Sequence, residues 1–289
     1  MNLGTPAAPT PEAVKAYLAE FLSDPRVVKL PRWLWLPILH GIVLRTRPEK
    51  SAEKYAQIWT PEGSPLAVHT MRQAALLQEK LELPVRYAMR YGQPTIPSAL
   101  RGLEKPLVVP LYPQYAESTT AAVADRLPPD TAMVRDFHDH PAYIGALAAQ
   151  VERHWQAHGR GPTLLMSFHG LPKRGGAAYE AQCRVTARLL AERLRTQHVV
   201  TFQSRFGYAE WLQPYTQPTL EDMARKGVER VDVVCPGFVS DCLETLEELG
   251  IVARRAFHAA GGREFYLVSC FNESPEWIDA LAALVRGRT

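Results

Sequence analysis

The sequence predicts an α/β protein built of two similar halves, each a parallel sheet flanked by helices, with a cleft between them. Three observations carry that expectation. Apolar runs of strand length alternate with amphipathic helical segments along most of the chain, the pattern of βαβ units and parallel sheets. Two of those runs, 163–169 and 231–235, stop at polar residues beside a Gly or Pro break. In open α/β sheets that edge is where ligands sit. Finally, Pro128-Pro129-Asp130 interrupts the series, which then starts again. The halves are therefore expected at 1–128 and 129–271, with a closing helix at 272–289 packing back on the first half.

With 289 residues, 46% apolar and 22% charged, the chain has an ordinary globular composition. A net charge of +3, without a run of five like charges, gives no footprint for nucleic acid. Cys183, Cys235, Cys242 and Cys270 form no C-x-x-C pair. That argues against zinc ribbons and iron–sulfur motifs and suits a reducing cytoplasm. No apolar run approaches the ~20 residues that a spanning helix needs. No leader pattern is expected at the start, and no glycine-rich nucleotide loop occurs.

Residues 1–6 read as a loop. Pro11–Leu22 has Val14, Tyr17, Leu18, Phe21 and Leu22 at helical spacing, with Thr10 as N-cap and Pro11 in the first turn. The stretch 31–44, carrying Trp33, Trp35, Leu36, Ile38, Leu39, Ile42 and Val43, fits a core helix or an apolar lip toward a membrane or a flat ligand. Buried aliphatics are the commoner case, so the core reading leads. Helices are expected at 51–58, 66–81 and 97–103, with strands at 85–92 and 107–111. Ser118 is expected to cap a helix from Thr119. Beyond the break come strand 132–135, helix 141–158, the strand ending at His169, helix 179–195, strand 198–203 and helix 219–226. The strand ending at Cys235, an acidic helix, strand 265–269 and helix 274–285 complete the series.

Asp241, Glu244 and Glu248 lie at i, i+3 and i+7, one stripe of a helix. Like charges so placed cost about 0.2–0.5 kcal/mol per pair unless a cation relieves them. A solvated acidic face fits the spacing as well as a cation site does. The position just past a buried strand end, near a helix N-terminus, favours the cation. A histidine after a strand is commonly structural. Facing carboxylates from a neighbouring strand, however, His169 suits a loosely held divalent first-row ion and can accept protons at neutral pH. His138-Asp139-His140 reads as a helix cap ahead of Pro141 rather than a metal cluster, because adjacent strand residues alternate faces.

Taken together, several motifs resemble the ferrochelatase family, whose members insert ferrous iron into a porphyrin. They are Asn2-Leu3-Gly4-Thr5-Pro6, Tyr55-x-x-Ile58-Trp59-x-x-x-Gly63-Ser64-Pro65-Leu66, Arg90-Tyr91-Gly92, and Tyr112-Pro113-Gln114-Tyr115-x-x-Ser118-Thr119-Thr120. The second half adds His169-Gly170-Leu171-Pro172, Phe202-Gln203-Ser204-Arg205-Phe206-Gly207 with Trp211-Leu212, and the run from Cys235-Pro236-Gly237-Phe238 to Glu248. The resemblance spans nearly the whole chain, and its details are similar to the proteobacterial branch, which makes protohaem from protoporphyrin IX.

That resemblance implies two Rossmann-like, chelatase-type domains. It assigns catalysis to His169 and Glu244, and a metal path to His169, Glu244, Asp241 and Glu248. Leu3 matches a cap on one porphyrin face, while Leu18, Phe21 and Val27 match an apolar lip. Arg47, Ser64, Arg90 and Tyr91 match polar groups around the macrocycle, Arg47 and Ser64 being the propionate contacts, and Trp211 matches a pocket tryptophan. The implied reaction is the last step of haem biosynthesis, with release of two protons. Iron is a substrate there, and no cofactor is bound permanently. Glu117 occupies the place of a cluster cysteine in animal relatives, so no iron–sulfur cluster is expected. The family carries a complete strand ahead of Asn2, so the first sheet is expected to be short of one. The segment 173–179 lacks the family's Gly-Asp-Pro-Tyr pattern. The expected setting is a cytoplasmic monomer, with peripheral contact at the inner membrane as an option and no nucleic-acid partner. Chelation of another tetrapyrrole, coproporphyrin or sirohydrochlorin, is the alternative within the class. A non-catalytic porphyrin- or haem-binding protein is the alternative outside it.

Overall fold

The computed structural model describes residues 1–207 and 209–287. The last two residues of the expected 272–289 helix lie outside them. The chain divides into two compact units, Met1–Asp136 and Phe137–Thr289. The break thus falls eight residues after the expected 128. The cause is pairing: Val108 donates to the Ala132 carbonyl at 2.8 Å and accepts from Val134 N–H at 2.9 Å. The 132–135 stretch therefore belongs to the first sheet region instead of opening the second.

In the first unit, β1 (Asn2–Gly4) pairs in parallel with β2 (Met89–Tyr91), Asn2 opposite Met89 and Gly4 opposite Tyr91. The loop expected at 1–6 is therefore half strand. Gly4 sits at φ +119°, and a Cβ there would lie 1.8 Å from the Tyr91 carbonyl oxygen, so only glycine permits this approach. Helix α1 (Pro11–Leu22) starts as expected, with Thr10 Oγ1 accepting from Ala13 N–H at 3.3 Å. It buries Val14, Leu18 and Leu22.

Next comes α2 (Arg32–Ile38), with Pro37 inside it, then a π-helical turn, Leu39–Val43, then α3 (Leu44–Ile58). The core-helix reading fails for this lip. Helix α2 buries no side chain, and Trp33 is 79% exposed and Ile42 61%. Only Leu39 and Leu44 turn inward. Trp35 ties the segment down, its indole N–H donating to the Leu22 carbonyl at 2.7 Å. Helices α4 (Pro65–Leu81), α5 (Ile96–Leu100) and α6 (Ala122–Ala124) complete the unit. Ala88, Ile96, Ala99, Val108 and Val123 form a small core.

The second unit holds a four-stranded parallel sheet, β3 (Leu164–His169), β4 (His198–Gln203), β5 (Arg230–Val234) and β6 (Glu264–Leu267), in the order β4-β3-β5-β6. His169 lies opposite Gln203, and Met166 opposite Val234. Strands buried on both faces read as unbroken apolar runs, which is why β3 and β5 were visible in the sequence. Helix α7 (Pro141–His158) is capped by His140, whose Nδ1 accepts from Ala142 N–H at 3.3 Å, as expected. Helices α8 (Ala177–Leu194) and α9 (Thr216–Arg225) follow. The expected acidic helix is a ten-residue π-helix, Glu244–Ala253, continued by α10 (Arg254–Ala259).

The closing helix α11 (Pro275–Arg286), expected against the first half, packs on α7 within this unit. Trp277, fully buried, stacks on Phe271 at 4.7 Å and meets Phe137 and Tyr143. Among the described residues no helix is long and apolar enough to cross a membrane.

Candidate functional site

Strand β3 is buried until its last residue, the half-buried His169. His169 Nδ1 lies 2.7 Å from the Gly170 carbonyl oxygen. A carbonyl only accepts, so Nδ1 carries a proton, and in the neutral ring Nε2 keeps the lone pair. Tyr179 Oη donates to the His169 carbonyl at 2.9 Å, fixing the backbone from α8. Gly170 N–H donates to the Gln203 carbonyl at 2.8 Å. A Cβ at Gly170 would stand 2.7 Å from that oxygen and 3.3 Å from the Trp211 ring. The chain beyond β4 straps this turn, with Leu212 N–H on the Leu171 carbonyl and Lys173 N–H on the Glu210 carbonyl. Trp211 is consequently 3% exposed, tilted against the open Phe206 ring at 4.8 Å. Its indole N–H is buried with no partner among the described residues.

The acidic residues do not share one fate. Asp241, 6% exposed, accepts from Thr245 Oγ1 at 2.9 Å and Asn272 Nδ2 at 2.7 Å. It braces the approach to the π-helix and is closed to a ligand. Within the π-helix, wider i→i+5 turns replace the α-helical spacing. The expected three-residue stripe therefore does not form, and Glu244 and Glu248 remain as neighbours. Both Glu248 oxygens are held by Ser204, through its N–H at 2.7 Å and its hydroxyl at 2.6 Å. Burial pushes the Glu248 carboxyl above its ordinary range, against the pull of those bonds and of the His169 charge. Glu244 is half-buried, and its carboxylate faces the Cys242 thiol, which burial and that charge push upward. Phe238 lies 6.4 Å from the His169 ring. Among the described residues no group of three or more His, Cys, Asp and Glu side chains could hold a metal ion. Of the four residues expected to form the metal path, Asp241 is tied up by its own neighbours, while Glu248 lies within electrostatic reach of His169 and of Glu244.

In the first unit the assigned residues divide similarly. Leu3 is half-buried and held from below by Asn2, whose amide binds Thr70 Oγ1 at 3.0 Å and accepts from Tyr112 Oη at 3.1 Å and Leu3 N–H at 2.9 Å. Phe21 and Val27 are half-buried, and Arg47 is exposed on α3. Leu18 belongs to the core at 7% exposure. Ser64, 4% exposed, accepts from Thr5 Oγ1 at 2.8 Å. Arg90 and Tyr91 are interior as well. The Arg90 guanidinium pairs with Asp24 and donates to the Ala122 carbonyl at 2.6 Å. Tyr91 Oη donates to Asp24 at 3.0 Å, and burial raises its hydroxyl well above the usual range. Leu18, Ser64, Arg90 and Tyr91 are thus interior, and Tyr91 meets the half-buried Phe21 edge-on at 5.2 Å. Asp24, Gln203, Ser204 and Tyr179 carry structural weight at the site without having been singled out. For Gln203 and Ser204 a signal existed, since polar residues follow an apolar run there as they do at His169.

The family model for Ferrochelatase matches residues 1–289. The ferrochelatase of Azoarcus sp. (strain BH72) is 56% identical over 310 residues, covering 99% of this chain and 85% of that one. The ferrochelatase of Bordetella pertussis (strain Tohama I) is 53% identical over 310 residues, covering 99% and 86%. Among solved structures, CbiX, the terminal enzyme for biosynthesis of sirohaem in denitrifying bacteria, superposes with a TM-score of 0.55 at 18% identity, over 78% of this chain and 92% of its own. That likeness speaks for the fold alone. The chain belongs to the ferrochelatase family.

Proposed function

We propose that this chain inserts Fe²⁺ into protoporphyrin IX, releasing two protons and forming protohaem, the last step of haem biosynthesis. The observation that carries the reading is the locked tautomer of His169, which presents the Nε2 lone pair at the end of β3. Metallation must remove two pyrrole N–H protons, and a neutral imidazole held in one orientation is a suitable acceptor. Glu244, which the resemblance pairs with His169, is assigned the role of stabilising the imidazolium. Glu248, with its raised affinity for protons, is assigned the role of taking a proton onward. Iron passes through as substrate, and a site of few ligands suits an ion that must leave.

No resident cofactor enters this reading. All four cysteines are buried, and no two of them form a C-x-x-C pair, a spacing that speaks against a cluster. Glu117 is paired with Lys29 at 2.5 Å. The flat face of the macrocycle is assigned to Leu3, Phe21 and Val27, and a propionate to Arg47. The open lip of Leu30, Trp33, Leu34 and Ile42 gives the chain a peripheral hold on the cytoplasmic face of a membrane, where it acts as a monomer.

The test is an anaerobic assay of protoporphyrin with Fe²⁺, or with Zn²⁺ in air, followed by the change in porphyrin absorbance. Metallated product is expected. Binding without metallation would leave only a porphyrin-binding protein. A stronger rate with coproporphyrin or sirohydrochlorin would move the substrate. Flotation with anionic vesicles, lost in Trp33→Ser, checks the membrane hold.

A further inference from the structure

We infer that Gln203 is a positioning residue, whose carboxamide fixes the first turn of the π-helix against the His169 strand and so sets where Glu244 stands. The catalytic consequence rests on the metallation reading above. Gln203 is the last residue of β4, opposite His169 and 4% exposed. Its Nε2 donates to the Glu244 carbonyl at 2.8 Å, and its Oε1 accepts from Ser167 Oγ at 2.6 Å. A backbone carbonyl can only accept, so the amide orientation follows from the chemistry. Ser167 is fully buried on β3, two residues before His169, and its oxygen also lies 2.8 Å from Thr216 Oγ1. The Gln203 main-chain oxygen receives Gly170 N–H. One residue therefore touches the turn after His169, the strand that bears it, and the backbone of Glu244. A side chain filling space alone would need none of these polar contacts.

The Glu244 carbonyl belongs to the first residue of the π-helix, so the Gln203 bond tethers that first turn from outside the helix. Gln203→Met keeps the length and removes the donor. Ser167→Ala removes the other partner while leaving the donor on Glu244. Two readouts decide. Amide exchange across residues 244–253 is expected to quicken in Q203M and not in S167A. The metallation kcat is expected to fall about 100-fold in Q203M, the size of effect for a group displaced by about 1 Å, with KM for porphyrin held. S167A should stay near the parent. Unchanged exchange in Q203M overturns the inference, as does a loss of kcat that S167A matches in proportion to its fall in Tm. Should Q203M fail to fold, Gln203→Asn, one carbon too short to span both partners, is read in the same way. A parent that binds porphyrin without metallating it would fail the chelatase reading, while the exchange comparison would still decide Gln203.

Discussion

In the first unit Arg90, Tyr91 and Ser64 are closed off by their own neighbours, whereas in the second His169 keeps Nε2 open and the half-buried Glu244 carboxylate has the Cys242 thiol beside it. Both groups were assigned to one site by resemblance. The difference separates two uses of a polar side chain near a ligand. Arg90, Tyr91 and Asp24 form a buried ion pair with a phenol attached, which holds the C-terminal end of α1 under Phe21. This cluster is rigid because its polar groups satisfy one another. His169 is rigid for another reason. Its backbone is pinned by Tyr179, its ring by Gly170, and Glu210 and Leu212 strap the turn. That leaves one nitrogen available. Chemistry is expected from groups the fold has oriented without saturating.

The comparison breaks first at His169. His169→Ala should abolish metallation, a loss of at least about 10²–10⁴-fold for a proton acceptor, while porphyrin still binds by fluorescence quenching. Turnover at the parental rate would remove His169 from the mechanism. Next in size is Arg90→Ala, which leaves Asp24 buried and alone. Removing one partner of such a pair costs roughly 3–5 kcal/mol, read as a lower midpoint in denaturant. If Arg90 instead held a propionate, KM would rise with stability intact, and the interior reading would fail.

Much of the second unit was legible because its strands are buried on both faces and written as apolar runs. Strand β1 was not, since three residues ending in Gly-Thr-Pro carry the chemistry of a turn. The acidic stripe misled for a more specific reason. Spacing of i, i+3 and i+7 presupposes 3.6 residues per turn, and the segment from Glu244 is a π-helix, with Asp241 outside it. Nothing in local composition announces that change. The partner of Arg90 was out of reach of any periodicity, because Asp24 lies 66 residues away in sequence. For α11, amphipathicity disclosed that one face is buried but not which helix covers it. The lip was readable only as an ambiguity, and exposure of Trp33 resolves it.

A smaller effect sharpens the contrast at Ser64. Ser64→Ala removes one buried hydrogen bond, from Thr5, and should cost about 1 kcal/mol. As an interior residue it should leave KM for porphyrin unchanged. A porphyrin KM that rises while the unfolding midpoint holds would return Ser64 to the ligand.

The smallest effect tests whether the second unit also tolerates strain where the first does not. Burial raises the folded-state affinity of Glu248 for its proton above that of an ordinary carboxyl near 4.5. As pH climbs through that range, unfolded chains lose this proton before folded ones do. The stability it contributes is therefore present in acid and lost as pH rises through the folded value. Glu248→Gln keeps an oxygen for Ser204 and cannot ionise. Its Tm relative to the parent should move upward between pH 4 and pH 7, with slower metallation as the accompanying loss. A difference that stays flat across that range, or runs the other way, would mean that the two Ser204 bonds and the His169 charge outweigh burial. Glu248 would then be an ordinary anchored carboxylate, and the onward path for the proton would have to begin elsewhere.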